Sequence, residues 1–444
     1  MLGQPPDKLG FRPKILRQHR WPYGEIGVNC PYLHRPLDFN LNAKMQGIEK
    51  RAESGVTQVA IGIVARNEES GLGAMLNSLF EQSLFGELKR RGWKCEIHCL
   101  ANGCTDRTVA VAREVFDWQA RQHTEREAIR ARVFELREPG KINAWNQFVH
   151  GLSPQEARFL FLMDADILIH RRDTLWKMFV ALEEDKEAHI AVDRPCKDLL
   201  FKQRRTLWDR VSLAASRLTS AAAGQLCGQL YCIRGEIARK IYLPKDLAAC
   251  EDGFIKALVC TDFLTKPVCH RRIRLAPGAE HTFAAYARPA DLVRNQKRQI
   301  MGQTIVHILV DGYLKNLPRS EREHLAETLQ RNDRLDPLWL KRLIDQHLRR
   351  TRFWWQLYPG LGNGAWRRLM RVGLWERVAC LPAAMAGSTL AFLSGRLAFE
   401  ALREGCTDYW PEVRSRELAG APHSARAVTV GGQAIAAYPF KNLI

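Results

Sequence analysis

The chain has 444 residues, of which 46% are hydrophobic and 26% are charged. This composition is that of a globular protein and excludes wholesale disorder, and the length suffices for one large domain with an extension. The formal net charge of +19 indicates an anionic partner, which could be a nucleic acid, an anionic membrane face or a phosphorylated ligand.

The twelve cysteines include no CxxC pair and no zinc-binding spacing, and Cys95, Ile97 and Cys99 alternate as small core residues of a strand would. The N-terminus has no apolar run after its charges, so we expect no cleavable signal and cytosolic chemistry. Residues 1–54 are rich in Pro, Arg and aromatic residues and predict an irregular arm.

Short apolar runs then alternate with segments of helical periodicity. The runs predict strands at 59–64, 95–100, 132–136 and 159–163, and the intervening segments predict helices at 72–80, 105–118 and 142–149. This alternation indicates a parallel, right-handed α/β sheet. Ligands of such sheets bind beyond the carboxyl ends of the strands.

Unusual polar residues follow three of these strands. They are Asn67-Glu68 after the first, Asn102-Gly103-Cys104-Thr105-Asp106 after the second and Asp164-Ala165-Asp166 after the fourth. Taken singly, the second segment is also typical of a capped turn, and the third of helix-capping acids. Together they predict one cleft.

Asp164 and Asp166 are two residues apart in extended chain, so their carboxylates point the same way. Two such carboxylates repel each other unless a cation lies between them. Hard oxygen ligands with open coordination positions favour Mg²⁺ or Mn²⁺ bound together with a substrate diphosphate.

Two further motifs complete the order: Gly140-Lys141-Ile142-Asn143-Ala144-Trp145-Asn146 before the Asp164 segment, and Glu251-Asp252 after it. This order, over about residues 57–300, resembles the inverting family 2 glycosyltransferases of the GT-A fold. The resemblance implies a Rossmann-like, mostly parallel sheet flanked by helices. It also implies transfer of a hexose from a UDP- or GDP-linked sugar to a hydroxyl group.

The resemblance assigns roles to the matching positions. Glu68, Asn102 and Asp106 would contact the nucleotide. Asp164 would face the ribose or the diphosphate. Asp166 would bind the metal. Asp252 would be the general base, with a pKa raised by burial and by the neighbouring Glu251.

Three assignments keep alternatives. Lys141 belongs either to the substrate pocket or to the surface at a helix start. His281 is either a third metal ligand or a packed, hydrogen-bonded histidine. Arg298 is expected to contact phosphate, although it stands in Asn295-Gln296-Lys297-Arg298-Gln299, where processive relatives carry Q-x-x-R-W. The missing tryptophan favours single-sugar transfer, and Ala101 in place of an aspartate leaves the donor base open.

Basic residues are concentrated in part of the extension beyond residue 290. Residues 331–377 hold eleven Lys or Arg against four acids, and residues 378–395 are uncharged. We expect a GT-A domain at 55–290, a basic amphipathic helical region at 291–377, a hydrophobic helix at 378–402 and a tail at 403–444. This composition indicates an α-helical, membrane-associated extension, monotopic or single-span, on the cytoplasmic face of the inner membrane. The alternative is a buried helix of a soluble accessory domain.

The sequence thus predicts a metal-dependent, non-processive glycosyltransferase of glycolipid or cell-surface polysaccharide synthesis, with a lipid or saccharide acceptor. The alternatives are a degenerate glycosyltransferase-like scaffold and a GT-A-like nucleotidyltransferase, although the glycine-rich phosphate loop of the latter is missing after the first strand. Nucleic-acid binding is disfavoured, because the basic and aromatic residues cluster outside the acidic cleft.

Overall fold

The computed structural model describes residues 57–122, 128–202, 204, 206, 209, 224–247, 250–285, 289–359, 361, 370, 374–405, 427–430 and 433–436. The predicted N-terminal arm lies outside these residues, as does most of the predicted tail.

An eight-stranded mixed sheet forms the centre of the domain. Its strands are β1 (Thr57–Ala65), β2 (Lys94–Asn102), β3 (Ile129–Leu136), β4 (Phe159–Asp164), β5 (Ile167–Leu168), β6 (Ile190–Lys197), β7 (Leu230–Arg234) and β8 (Ile273–Phe283), in the spatial order 3-2-1-4-7-6-8-5. The four predicted strands are β1 to β4, and they run parallel as expected. β7 is antiparallel to both β4 and β6, and β5 is antiparallel to β8.

Helices cover the sheet and continue beyond it. They are α1 (Leu72–Phe80), α2 (Leu84–Arg90), α3 (Thr108–Gln122), α4 (Lys141–Gln147), α5 (Thr174–Glu184), α6 (Gly235–Ala238), α7 (Glu251–Cys260), α8 (Pro289–His307), α9 (Arg319–Glu323), α10 (Leu325–Leu335), α11 (Trp339–Arg350) and α12 (Leu374–Arg403). A short antiparallel pair, β9 (Ala427–Val430) and β10 (Gln433–Ala436), follows. The α/β fold and the helical C-terminal extension are therefore as predicted.

The apolar runs that predicted the strands are the core of the domain. Ile61, Cys95, Ile97, Cys99 and Phe161 are at most 1% exposed, as the alternation on β2 indicated. Burying an aliphatic side chain of this kind contributes about 1.5–3 kcal/mol before entropy is deducted. This rigid centre fixes the strand ends, and thereby the loops that follow them.

α8 connects the C-terminal extension to the part of the domain that contains α7. Gly302 of α8 lies against Cys250, immediately before α7, where an added Cβ would come within 2.3 Å of the Cys250 sulphur. On α12, the Ser394 hydroxyl donates to the Val293 carbonyl at 3.4 Å. α8 therefore contacts both α12 and the residue that precedes α7.

None of the helices among the described residues combines the length and the hydropathy that a membrane span requires. The single-span alternative of the sequence analysis thus has no candidate helix in this part of the chain.

Candidate active site

The loops after β1 and β2 are tied together by backbone hydrogen bonds to side chains. The Asn67 side-chain oxygen accepts from the Thr105 N–H at 2.8 Å, and Asp106 accepts from the Glu69 N–H at 3.1 Å and from the Thr108 N–H at 2.9 Å. Asn67 adopts a φ of 55°, a left-handed conformation that Asn tolerates better than most residues. Asp106, predicted to contact the nucleotide, therefore also holds the two loops in register.

Asn102 joins the cleft to the loop before α4. It is fully buried, and its side-chain amide donates to the Gly140 carbonyl at 2.8 Å, while its side-chain oxygen has no hydrogen-bond partner among the residues that the structure describes. Gly140 has a φ of 137°, which a residue with a Cβ rarely adopts. The glycine of the Gly140-Lys141 motif is thus needed to turn the chain so that α4 starts at the cleft.

Lys141 lies in the cleft, not at the surface. Its Nζ is 2.7 Å from the Asp164 carboxylate and 2.8 Å from the Glu251 carboxylate, and it donates to the Gly228 carbonyl at 3.3 Å. Burial alone would lower its pKa, but the two carboxylates outweigh it and raise the pKa above the usual range of lysine. The ammonium group thereby links the Asp164 segment to the start of α7.

The paired acids differ in their response to this contact. Burial raises the pKa of Asp164 to about 6, although Lys141 opposes the rise. Glu251 is also buried, but there the attraction of the Lys141 ammonium prevails and the pKa is lowered. At neutral pH both side chains are therefore charged and hold the lysine between them.

Glu68 and Asp166 each have a carboxylate oxygen that accepts no hydrogen bond from the described residues. One carboxylate oxygen of each is buried without a hydrogen-bond partner. Burial, followed by the charges of Asp166, Asp164 and Asp106, raises the pKa of Glu68 to about 9. Glu68 is therefore protonated at neutral pH where it lies beside Asp164, Asp166 and Asp106 at the ends of the parallel strands.

Asp252 lies in the first turn of α7, beside Glu251. Burial, followed by the charge of Glu251, raises its pKa to about 6, as the sequence predicted. One oxygen accepts from the Gly253 N–H at 2.7 Å, a contact that favours the ionised form but does not offset the burial.

His281 is fully buried on β8. Its Nδ1 is 2.7 Å from the Asp193 carboxylate, and its Nε2 is 3.4 Å from the Gln229 side-chain oxygen. This is the hydrogen-bonded arrangement that the sequence left as the alternative to a ligand. It is also the arrangement that orients a histidine toward a metal, since ligating imidazoles donate their other N–H to a carboxylate.

Gln229 connects this pair to the cleft, because its backbone carbonyl accepts from the Asp164 N–H at 2.9 Å. Next to it, Cys227 has a pKa raised to about 12 by burial and then by the charges of Asp193, Asp252 and Asp164. Segment 227–229 therefore lies close to Asp164, Asp193 and Asp252.

Arg298 lies on α8 and is partly buried, and within the described part of the chain its buried Nε has no hydrogen-bond partner. Its charge lowers the pKa values of both Glu251 and Asp252, which places it on the α7 side of the cleft. A guanidinium group with an unused donor at this position can bind an anionic oxygen.

Sequence reasoning missed three contributions. It treated Glu251 only as a neighbour of Asp252, whereas it pairs with Lys141, and it omitted the Asp193 partner of His281. It also overlooked Thr108, whose hydroxyl accepts from the Glu68 N–H at 2.8 Å. The position of Glu251 next to Asp252 in the sequence could have indicated its role. Nothing in the sequence around Asp193 indicates that it pairs with His281.

The mixed α/β sheet flanked by helices is a GT-A-like fold. Residues 60–227 match the family described as Glycosyl transferase family 2. This match identifies a glycosyltransferase domain in that part of the chain.

Solved structures similar to the chain include residues 1–349 of TarS from S. aureus, at 16% identity and a TM-score of 0.37, covering 79% of this chain and 92% of that one. Mannosyl-3-phosphoglycerate synthase from Rubrobacter xylanophilus has 14% identity and a TM-score of 0.39, covering 59% and 77%. Glucosyl-3-phosphoglycerate synthase from Mycobacterium tuberculosis, solved with Mg²⁺ and UDP, has 15% identity and a TM-score of 0.35, covering 56% and 78%. A comparison with curated proteins gives no match.

Proposed function

We propose that the chain transfers a single sugar from a nucleoside-diphosphate sugar to a hydroxyl acceptor, with inversion at the anomeric carbon and with Mg²⁺ or Mn²⁺. The observation that carries this proposal is the pairing of Lys141 with both Asp164 and Glu251. This pairing connects the donor-facing acids to the helix that bears a carboxylate suited to act as a base.

The residues of the cleft fit a divalent cation. Asp166 holds a buried oxygen for which the described residues supply no hydrogen-bond partner, and carboxylate oxygens are the ligands of Mg²⁺ and Mn²⁺. Within the described ranges, no three His, Cys, Asp or Glu side chains group so as to hold a metal by themselves. Mg²⁺ at phosphate sites is usually held by one or two carboxylates and the substrate phosphates, so Asp166 together with a diphosphate meets the requirement. When bound, the ion would offset charge on the leaving diphosphate.

The chain's own groups supply the remaining chemistry. Asp252 takes the proton of the acceptor hydroxyl as its oxygen bonds to the anomeric carbon, while the bond from that carbon to the diphosphate oxygen breaks. Attack opposite the leaving group inverts the centre. Lys141 contacts Asp164, which this proposal assigns to the diphosphate, so its ammonium group can offset negative charge that develops there.

The acceptor is proposed to be a lipid-linked or saccharide hydroxyl in glycolipid or cell-surface polysaccharide synthesis. Arg298 aligns with the arginine of Q-x-x-R-W, but Gln299 stands where the tryptophan would be. Without that aromatic platform we propose one transfer per encounter. The roles of Glu68, Asn102 and Asp106 at the nucleotide and of His281 as a metal ligand belong to the same proposal.

The function is tested by incubating the purified chain with individual UDP- and GDP-sugars and Mn²⁺. Release of the nucleoside diphosphate and free sugar from one donor would support the proposal and identify that donor, since water replaces the acceptor slowly. Release of pyrophosphate from nucleoside triphosphates in the presence of a sugar phosphate would instead indicate a nucleotidyltransferase.

Metal removal is expected to abolish this hydrolysis. Chelation by EDTA should reduce turnover to background, and excess Mn²⁺ should restore it. Asp166→Asn should raise the Mn²⁺ concentration for half-maximal activity at least tenfold, because it removes a charged ligand. Asp173→Asn is the matched control, since Asp173 pairs with Lys177 outside the cleft. Full turnover in EDTA would contradict the role of Asp166.

The pH dependence should follow Asp252. Its base form is lost as the pH falls through its pKa of about 6, and Asp164 is protonated in the same range, so kcat/KM for transfer should decline at least tenfold per pH unit below about 6 and be level above 7. An unperturbed aspartate would keep the rate level down to about pH 5. A stopped assay between pH 4.5 and 8, with saturating Mn²⁺, distinguishes the two profiles.

A further inference from the structure

The outer face of α12 is apolar although it lies open to solvent. Five large side chains on this face are between 40% and 57% exposed: Leu381, Met385, Phe392, Leu393 and Leu397. Their helical spacing places them within one half of the helix circumference. The opposite half contains the buried Ala384, Ser394 and Ala398 and packs toward α8. α12 is therefore apolar on both sides, one of which packs toward α8 while the other is uncovered.

Aromatic residues before α12 extend this face. Phe353 and Trp355 are 43% and 49% exposed and stack on each other, with ring centroids 4.5 Å apart. Trp354 packs edge-on against Phe392 at 4.9 Å and joins this stack to the helix. We call the five α12 side chains together with Phe353 and Trp355 the α12 apolar surface. Exposed apolar patches of this extent mark interaction sites.

Arginines lie within this surface and at its edge. Arg396 is 70% exposed and occupies the same helix half as Phe392 and Leu393, with Glu400 as its partner at 2.9 Å. Arg352 lies over the ring of Phe353, 5.8 Å from its centroid. Long cationic side chains among aromatic and aliphatic ones match a lipid interface, where the stems pack in the acyl region and the charges meet headgroup phosphates.

Charge favours an anionic lipid surface over a second copy of the chain as the partner of the α12 apolar surface. A second copy would bring another chain of net charge +19, with the same Arg352 and Arg396, to this surface. Anionic headgroups offer the complementary charge instead.

We propose that the α12 apolar surface docks the protein on an anionic lipid bilayer, with α12 lying in the plane of the interface. α12 packs on α8, and α8 packs against the start of α7, so docking also holds the Asp252 helix at a fixed position relative to the lipid headgroups. The inference goes beyond the proposed reaction and does not depend on it.

The test is sedimentation of the purified full chain with vesicles of phosphatidylcholine alone or with about 30% phosphatidylglycerol. Wild type should sediment with the anionic vesicles and be released by 0.5 M NaCl, because screening weakens headgroup contacts. The triple variant Met385→Ser, Leu393→Ser, Leu397→Ser should bind at least tenfold more weakly. The double variant Arg352→Gln, Arg396→Gln should lose the preference for anionic vesicles.

The matched control is Val268→Ser, Leu335→Ser, Leu338→Ser, which removes exposed apolar side chains from elsewhere on the chain and should bind as wild type does. Circular dichroism verifies that each variant is folded. Wild type that stays in the supernatant, or an α12 triple variant that sediments like wild type, would overturn the proposal. So would a wild-type dimer in light scattering that the α12 triple variant converts to monomer. Vesicle binding without hydrolysis of any donor would refute only the proposed reaction.

Discussion

Asp252→Asn is expected to reduce sugar transfer about a thousandfold, because a positioned general base typically contributes 10²–10⁴-fold. The amide has nearly the same shape as the carboxylate and can keep the 2.7 Å contact with the Gly253 N–H. It cannot accept the acceptor proton at any pH in the assay range. The variant should therefore bind the donor with an affinity within about twofold of wild type.

The measurement is kcat/KM for transfer, paired with calorimetric titration of a non-hydrolysable donor analogue. Asp262→Asn is the matched control, since Asp262 follows the same helix and pairs with Lys266 at 2.7 Å. It should keep wild-type turnover. Wild-type turnover in Asp252→Asn would remove Asp252 from the mechanism, whereas lost donor binding would give it a structural role instead.

Lys141→Met is expected to destabilise the protein and to inactivate it at the same time. Removing the ammonium leaves Asp164 and Glu251 facing each other in a buried site, and breaking a buried pair at one partner typically costs about 3–5 kcal/mol. Because 26% of the Lys141 side chain is exposed, we expect about 2–3 kcal/mol. Turnover should fall at least a hundredfold, since Asp164 and Glu251 would repel each other and no longer keep the cleft residues in position.

Urea unfolding followed by circular dichroism measures the loss of stability. The matched control is Lys245→Met, because Lys245 forms an exposed pair with Glu138 at 3.2 Å, and such pairs contribute about 0–1 kcal/mol. The double variant Lys141→Met, Glu251→Gln should regain part of the stability, since it removes the unpaired charge. Equal losses in the Lys141 and Lys245 variants would show that the cleft pair is no stronger than a surface pair.

Much of the fold was predictable, because its first half is built from local patterns. β1 to β4 and α1 coincide with the predicted segments, since apolar runs and helical periodicity reflect burial directly. β5 to β8 were not predicted. β5 has two residues and β7 runs antiparallel, so their places follow from pairing with distant strands and not from local periodicity.

The residues of the site likewise divide into those that the sequence predicted and those that it did not. The polar residues after β1, β2 and β4 meet as predicted, because parallel strands end at one edge of the sheet. The partners of these residues were not predictable. Asp193 is 88 positions before His281, and their 2.7 Å contact exists only because β6 and β8 are neighbours.

The sequence by itself determined the class of the domain and the identity of its chemical groups. Ordered motifs on a periodic α/β framework restrict which side chains can reach the cleft. Only the tertiary structure decided how those groups are charged and paired. Lys141 could have been a surface residue, and its role depends on Asp164 and Glu251 approaching from separate elements within 2.8 Å. Distance and burial set electrostatic energies, and both arise only when the distant segments pack together.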